Sequence, residues 1–435
     1  MNGRLPLACI MAGLILLSVG LPAAAEPQSK PIELGSSSIR SLEQAITLAL
    51  AQSPALRAAE ARLGASRGER RQAGLRPNPE LSVEGENFAG SGLYRGVRSL
   101  ETTVGVGQRI ELGGKWTARV AVADAGIAVS ESEYQAARLD VIRDVTKAYA
   151  EAVAARRTID VEAERMRLAD EVLRVVRARV EGGKEPLVQV RRAEITRSRA
   201  VLAIERARRE AEIARRALAT LLGVERVDIV PDNAWFEAIG PAPAGPQPVG
   251  TGAVASNPDL ARWEAQIARS RAGLEVEKAG AVPDVTIGAA ARRFQQTRDS
   301  AVVVTLSVPI PVLNRNQGAI QRAGSELVRT EVEARQARLT LEASLADAEE
   351  RLITAWREAD TLRRTVLPNA RQAFGFAREG YQAGKFTFLD VLEAERTLFD
   401  TRAQLNDALK EVHARRADLD RLSGRHASGT TGGAR

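Results

Sequence analysis

The sequence contains few of the side chains that catalytic and metal sites use most. Its 435 residues include one cysteine, Cys9, and two histidines, His413 and His426. A single cysteine supplies neither a disulfide framework nor a thiolate metal site within the chain. Two histidines, the second in a Gly/Ser/Thr-rich tail, supply neither a catalytic triad nor a metalloprotease motif. We therefore expect no enzymatic activity, no resident metal and no cofactor.

Long apolar runs are also scarce, and the one that exists lies at the N-terminus. Arg4 is the only charge in residues 1–25, an apolar run follows it, and Ala23-Ala24-Ala25 precedes Glu26. This order is typical of a cleaved secretory signal, which we place at 1–25. The alternative is a membrane anchor, for which the run is short. Because a lipoprotein cysteine follows the apolar run and Cys9 lies near its start, we expect an exported chain without lipid.

Aromatic residues and excess charge are low as well. Phe, Trp and Tyr make up 4% of the chain, and 62 basic residues are interleaved with 55 acidic ones, for a net charge of +7. Ala, Arg, Glu and Leu dominate, which is typical of long helices and coiled coils. Interleaved charges indicate solvated helix faces, so we expect no nucleic-acid partner.

What the sequence does contain is a duplication. Residues 183–223 align with 384–424 without a gap, and 12 of the 41 positions are identical. Chance would give about three at ordinary residue frequencies. A second alignment joins 53–83 to 257–287. The identical pairs include Gly183/Gly384, Lys184/Lys385, Glu194/Glu395, Gly223/Gly424, Pro54/Pro258 and Pro79/Pro283.

Each copy changes from a helical period to a period of two and back again. A helix with proline in its first turn is followed by two alternating stretches and then by a very long helical hairpin. Pro368 should disturb the second hairpin, because an interior proline removes a backbone hydrogen bond. The predicted division is a signal peptide at 1–25, a first repeat at 40–223, a linker at 224–256, a second repeat at 257–424 and a flexible tail at 425–435. The first repeat has strands at about 79–88 and 100–112 and a helical hairpin at about 115–222. The second has strands at about 283–294 and 301–310 and a helical hairpin at about 317–423.

The alternating stretches predict membrane strands. One face of each is apolar, and about ten residues match the length of a transmembrane β-strand. Thr103 and Thr305, on the other face, should point into a wet lumen. Lipid does not tolerate open sheet edges, so four strands must be completed by other subunits. The alternative is a soluble sandwich beside a coiled coil. The residues expected to face lipid are Val104, Val106, Ile110, Val302, Val304 and Leu306.

At this point the chain resembles a known family. The two copies of helix, β-hairpin and long helical hairpin, with Tyr-x-x-Gly-Lys-x-x-x-x-Asp-Val-Leu-x-Ala at 381–394, are similar to the TolC-like outer membrane efflux proteins. The likeness covers nearly all of residues 40–424. The stretches NPELSVEGENFAG (78–90) and ETTVGVGQRIELGGKWTARV (101–120) look like the heavy-metal, CzcC-like branch of that family.

The resemblance implies a mainly α-helical homotrimer with a membrane β-barrel. Three chains would make a twelve-stranded barrel in outer membrane lipid and an α-helical tunnel across the periplasm of a Gram-negative envelope. Such a channel is the exit duct of a tripartite pump, joined through a periplasmic adaptor to an inner-membrane transporter, here of the RND heavy-metal type. The alternatives are a channel for drugs or secreted proteins, a periplasmic adaptor, and a coiled-coil structural protein.

The resemblance also implies a gate at the hairpin tips. Tyr381 matches a tyrosine of the family's closing network, and Asp390 and Glu393 match two acidic positions that form rings in the closed entrance. Asp390 could equally be a helix cap, since it falls in a first helical turn. Phe386 stands where the best-known member has an arginine clamp, and the first repeat has Gln189 and Arg192 at the acidic positions. An adaptor would dock at the tips, marked by Gly183, Lys184, Gly384 and Lys385.

Overall fold

The computed structural model describes residues 36–243 and 257–425. The predicted signal peptide, the end of the predicted linker and the tail beyond Arg425 lie outside the described residues. The strand β1 (Ser36–Ile39) precedes the first repeat, which comprises α1 (Leu42–Gln52), α2 (Pro54–Ala73), β2 (Glu80–Glu86), β3 (Glu101–Ile110), α3 (Lys115–Glu181) and α4 (Leu187–Leu222). The second comprises α6 (Pro258–Gly280), β5 (Val285–Phe294), β6 (Ser300–Ser307), α7 (Gln317–Thr361), α8 (Leu367–Gln382) and α9 (Phe388–Ser423), and β4 (Arg226–Ile229) and α5 (Asn233–Glu237) lie between the repeats.

The two repeats share local interactions as well as their order of elements. Ser66 contacts Ser130 through their hydroxyls at 2.6 Å, and Ser270 contacts Thr330 in the same way at 3.1 Å. Gly223 and Gly424 end the two returning helices with φ of 70° and 68°. Side chains disfavour this left-handed conformation. A Cβ on Gly223 would also lie 2.8 Å from the carbonyl oxygen of Gln52. The left-handed conformation explains why glycine occupies both positions, and the Gln52 carbonyl adds a steric reason at Gly223.

Pro368 is accommodated by a local widening of the helix. A π-helical turn, Leu362–Val366, joins α7 to α8, and Pro368 is the second residue of α8. Proline has no N–H to donate to the carbonyl four residues earlier, and its ring would collide with that carbonyl in a regular α-helix. A π-helical turn spaces the backbone groups differently. The disturbance expected at this proline therefore precedes it by one turn.

The four longer strands form one antiparallel sheet in the order β2-β3-β5-β6. Its register places Val83, Val104, Ala291 and Val302 in one row across the sheet, and Leu81, Val106, Ala289 and Val304 in the next. One face is therefore apolar, yet its side chains are exposed: Val304, for example, is 75% accessible. Within residues 36–243 and 257–425, the outer edges of β2 and β6 pair with no further strand.

The predicted linker at 224–256 is only partly a linker. The short strand β4 pairs in parallel with β1, and the Asp232 side chain caps α5 by accepting from the backbone N–H of Trp235 at 2.9 Å. Phe236 is fully buried in the main core with Tyr149 and Leu218. This segment folds because its apolar side chains cover the middle of the long helices. Its Pro- and Gly-rich composition had indicated only a connection.

Below this core the long helices form a layer in the order α4–α3–α9–α8. α3 packs against α4 on one side and α9 on the other, and α9 packs in turn against α8. The layer ends at the two tips, between α3 and α4 and between α8 and α9. Among the described helices, none combines the length and apolar character needed to cross a bilayer. The edges of the layer are α4 and α8.

Candidate functional site

The two hairpin tips have the same turn. The backbone N–H of Lys184 donates to the carbonyl of Arg179 at 2.8 Å, and that of Lys385 donates to the carbonyl of Gly380 at 2.8 Å. Gly183 and Gly384 take φ of 68° and 73°, which this helix-ending motif requires. Both lysines are exposed at the ends of the hairpins. The tips therefore present one positive charge each on a rigid turn.

Tyr381 connects the two tips inside one protomer. Its side chain is 4% exposed, and the Arg179 guanidinium lies over its ring, 4.6 Å from the centroid. Arg179 Nη1 also donates to the Tyr381 carbonyl at 3.1 Å. Burial, followed by the nearby Glu185 carboxylate, raises the pKa of the Tyr381 phenol. The phenol therefore stays neutral, and its ring serves as a contact surface for the first hairpin.

Asp390 forms a capping box at the start of α9. Its Oδ2 accepts from the backbone N–H of Thr387 at 2.7 Å and from the Thr387 hydroxyl at 2.7 Å. The backbone N–H of Asp390 donates back to Thr387 Oγ1 at 3.4 Å. These hydrogen bonds from Thr387 lower the pKa of Asp390. Asp390 therefore caps helix α9 within the protomer, and the cap keeps this exposed carboxylate ionised to lower pH.

Glu393 is exposed one turn beyond Asp390. At the corresponding positions of the first hairpin, Arg192 Nη1 donates to Gln189 Oε1 at 3.5 Å. The second tip thus carries two exposed carboxylates where the first carries an amide and a guanidinium. Phe386 is half-exposed beside them. The chemical difference between the tips is one of charge, while the backbone turn is the same.

The polar face of the sheet carries an ion-pair cluster centred on Arg292. Its guanidinium contacts Glu86 and Glu101, each at 3.2 Å, and its Nε donates to Thr103 Oγ1 at 3.0 Å. Thr103 is buried by this contact. Thr103 therefore lies on the polar face of the sheet, as the alternation predicts, with Arg292 covering its side chain. Thr305 remains exposed on the same face.

Sequence reasoning did not identify Glu395 as a distinctive residue. Its side chain is 2% exposed, and neither carboxylate oxygen has a hydrogen-bond partner. Burial raises the pKa of Glu395 to about 7, against the lowering effect of the Arg165 charge. A signal was available: Phe388, Val391, Glu395 and Leu398 repeat at the spacing of a buried helix face. One acid in an apolar stripe indicates a buried charge.

No group of three or more His, Cys, Asp or Glu side chains in the described part of the chain is arranged to hold a metal ion.

Comparison with known proteins places these features in a family. The family model described as "Outer membrane efflux protein" matches residues 45–224 and 251–425. The cobalt-zinc-cadmium resistance protein CzcC of Cupriavidus metallidurans is 29% identical over 88% of this chain and 90% of its own length. The nickel-cobalt-cadmium resistance protein NccC of Alcaligenes xylosoxydans xylosoxydans is 27% identical over 76% of this chain and 70% of its own.

Two solved structures share the fold. CusC, a protein described as forming a transmembrane channel, superposes with a TM-score of 0.74 at 19% identity, covering 88% of this chain and 91% of its own. The outer-membrane channel OprN superposes with a TM-score of 0.74 at 21% identity, covering 88% of this chain and 89% of its own. At these identities the superpositions establish the common fold.

Proposed function

The chain belongs to the outer membrane efflux protein family, and on that premise we propose that three copies form the exit duct through which a tripartite pump exports divalent metal cations. Members of this family are transport proteins of the Gram-negative outer membrane. The observation that carries the proposal is the exposed, apolar, open-edged sheet. The closure of the sheet by three copies and the identity of the exported cargo are proposed in addition.

The sheet supports closure by copies of the same chain. An apolar face of this size is stable in lipid, while two unpaired strand edges are not. If the β6 edge of one protomer pairs with the β2 edge of the next, three sheets close into twelve strands with no edge left. The polar face, with Arg292 and its acidic partners, then lines the lumen. Alternating apolar and polar residues are typical of such barrels.

The edges of the helical layer support the same arrangement. On α4, the apolar residues Val188, Ile195 and Leu202 are exposed and spaced by seven, which places them on one face. On the opposite edge, Phe376 of α8 is exposed. Packing α4 of one protomer against α8 of the next would bury both edges. Six hairpins from three chains would then enclose a tunnel.

The tips would form the periplasmic entrance. Threefold symmetry would bring three copies of Asp390 and three of Glu393 around the axis as acidic rings. Tyr381 would hold the second hairpin against the first. The turns at Gly183, Lys184, Gly384 and Lys385 would be presented to a periplasmic adaptor, which joins the duct to an inner-membrane transporter of the RND type.

The cargo is proposed from the relatives and from the chemistry of the chain. The names of CzcC and NccC describe resistance to cobalt, zinc, cadmium and nickel. In this chain, a cation would meet acidic rings that attract it without holding it tightly, because carboxylates alone at a wide opening form no closed ligand set. Selection among metals would then be made by the transporter.

The test is a resistance profile of a deletion strain. We expect loss of growth on cobalt, zinc, cadmium or nickel, restored by the wild-type gene, with unchanged tolerance of drugs and dyes. Sensitivity to drugs alone would contradict the metal cargo and leave the duct in place. On gels of outer membranes, a band that migrates as a trimer without heating and as a monomer after boiling would support closure by three copies. A monomer under both conditions would contradict it.

A further inference from the structure

Each hairpin contains an acid and a base at equivalent positions. Only in the first hairpin do these two side chains form an ion pair. The register that superposes the tip turns aligns Glu194 with Glu395. The same register aligns Arg177 with Arg378. The pattern of burial on the preceding helices obeys the same register: Leu173 and Val176 are buried, and so are their equivalents Phe374 and Ala377. The preceding helices of the two hairpins therefore bury equivalent positions.

In the first hairpin the acid is fully paired. Arg177 Nη2 lies 2.9 Å from Glu194 Oε1, and Arg191 Nη1 lies 2.8 Å from Glu194 Oε2. Both basic residues are accessible to water, so the pair forms at the surface of the α3–α4 seam. Hydrogen bonds from Arg177 and then Arg191 lower the pKa of Glu194. The first hairpin is thus stable with this carboxylate ionised.

In the second hairpin the acid is buried and alone. Leu392 replaces the local base Arg191, and Glu395 makes no hydrogen bond. Arg378 is exposed and, within residues 36–243 and 257–425, forms no ion pair. It lines a groove of about 420 Å³ that runs over α9 between α3 and α8, together with Arg371 and Arg402. The base therefore faces water while its equivalent acid faces the core.

The other charges near Glu395 do not replace Arg378. From α3, Arg165 is the cation whose charge acts on Glu395, and Arg165 is shared with Glu162 at 4.0 Å. On α9 itself, Arg402 is paired with Glu164 at 2.5 Å. From α8, the bases are Arg371 and Arg378, which lie in the groove. A buried carboxylate without a hydrogen-bonded partner is stable only when it is neutral.

The helix that carries Arg378 is a short unit bounded by two irregular turns. α8 has 16 residues and lies between the π-helical turn Leu362–Val366 and the tip turn at Gly384. π-helical turns are frequent at functional sites, and they interrupt the regular hydrogen bonds of a helix. Gly375, in the middle of α8, has nothing within 4 Å of where a Cβ would be.

We propose that α8 and α9 have a second packing, in which Glu395 is ionised and bound to Arg378 as Glu194 is bound to Arg177, and that the exchange between the two packings moves the tip that carries Tyr381 and Asp390. Acidic surroundings hold the neutral, buried packing. Alkaline surroundings drive the paired one. The role of this exchange in regulating the entrance rests on the proposed function, whereas the exchange itself is a property of the hairpin.

The experiment measures the distance between the tips as a function of pH. The predicted mature chain has no cysteine, so spin labels at Lys184→Cys and Lys385→Cys report one distance per protomer when labelled chains are diluted with unlabelled ones. We expect the distance distribution to change between pH 5.5 and 8.5, with a midpoint near the value of about 7 to which burial raises the pKa of Glu395. E395Q should keep the acidic distribution at every pH.

Arg378→Gln and Glu194→Gln complete the test. Arg378 is exposed, so R378Q should fold normally, and loss of the partner of the ionised acid should hold the acidic distance distribution throughout the range from pH 5.5 to 8.5. E194Q, the matched change in the first hairpin, should titrate like the wild type.

A wild-type distance that does not depend on pH would overturn the proposal. A transition that survives in E395Q, or a midpoint unchanged in R378Q, would do the same. Because the distance is read in purified protein, it stands or falls independently of the resistance profile.

Discussion

At Asp390 a single carboxylate has two roles that need different evidence. Its hydrogen bonds with Thr387 are made within the protomer. The pattern Thr-x-x-Asp at 387–390 predicts them from the sequence. The ring of three carboxylates would exist only in the trimer. Because Thr387 lowers the pKa of Asp390 by hydrogen bonding, the cap helps the ring to remain charged.

We expect the closed channel to prefer cations and to be blocked by multivalent cations at low ionic strength, where screening is weakest. The double change Asp390→Ala with Glu393→Ala should relieve the block, because it removes both acidic positions. The matched change Gln189→Ala with Arg192→Ala should not reduce the preference for cations. Single-channel recording in planar bilayers measures both quantities.

Asp390→Asn with Glu393→Gln separates charge from capping in this test. An asparagine can still accept from the Thr387 backbone, so the cap is kept while the charge is lost. Relief of the block by both double changes supports the acidic ring. Relief by the alanine pair alone would assign the effect to the helix cap.

His413 is a buried titratable group packed against the main core. Its Nε2 lies 2.9 Å from the carbonyl oxygen of Phe236, and its ring stacks on Trp235 at 4.1 Å. Burial lowers the pKa of His413 below the ordinary value of 6.5, with the Phe236 carbonyl opposing and Arg416 reinforcing the shift. A lowered pKa in the folded state contributes stability above about pH 6.5, and that stability is lost as the pH falls through the folded value.

We expect the melting temperature of the wild type to fall between pH 7 and pH 5, and that of His413→Gln to fall less. Glutamine keeps a donor for the Phe236 carbonyl and cannot titrate. It should be less stable than the wild type at pH 8, because the stacking on Trp235 is lost. If the melting temperatures of the two proteins fall equally with pH, His413 is not the acid-sensitive group.

Among the elements, the long strands were predictable and the short ones were not. β3 and β5 have ten residues each, enough for a period of two to stand out. β1 and β4 have four residues each and pair across the whole first repeat. No local pattern identifies such strands, because their pairing depends on the helices that bring them together. The burial of Glu395 does have a local signal, the apolar stripe around it on α9, whereas its lack of a hydrogen-bond partner depends on how the helices pack.

The register of the sheet sharpens the choice of lipid-facing substitutions. Val304 lies in a row of exposed apolar residues, and its neighbour Thr305 is exposed on the polar face. Val304→Arg should cost about 2–4 kcal/mol of barrel stability if that row meets the bilayer midplane. Thr305→Arg should cost much less, because it adds its charge to a wet surface. Equilibrium denaturation in lipid vesicles compares the two, and equal losses would contradict a lipid-facing row.

For the molecule as a whole, a substitution on the exposed apolar face of α4 tests whether this face forms the contact between protomers. Ile195 is 54% exposed in the protomer, and an isolated surface residue tolerates a charge at little cost. We expect Ile195→Glu to leave the secondary structure unchanged and to dissociate the trimer, because a charge would be buried between protomers. Sedimentation of the detergent-solubilised protein measures the trimer fraction.

Arg208→Glu is the control for this change. Arg208 is exposed on another face of α4, and its contact with Glu205 at 2.6 Å lies within the helix. It should remain trimeric. Full trimer in Ile195→Glu would place the interface elsewhere.

The pairing of β1 with β4 also sets an order of events during synthesis. β1 leaves the cell interior early, yet its partner follows only after the entire first repeat has been exported. Until Arg226–Ile229 arrive, the N-terminal strand has no partner at its edge. The β1–β4 pair therefore forms only after the whole first repeat has been exported, and a product truncated before Arg226 would emerge with an unpaired strand edge.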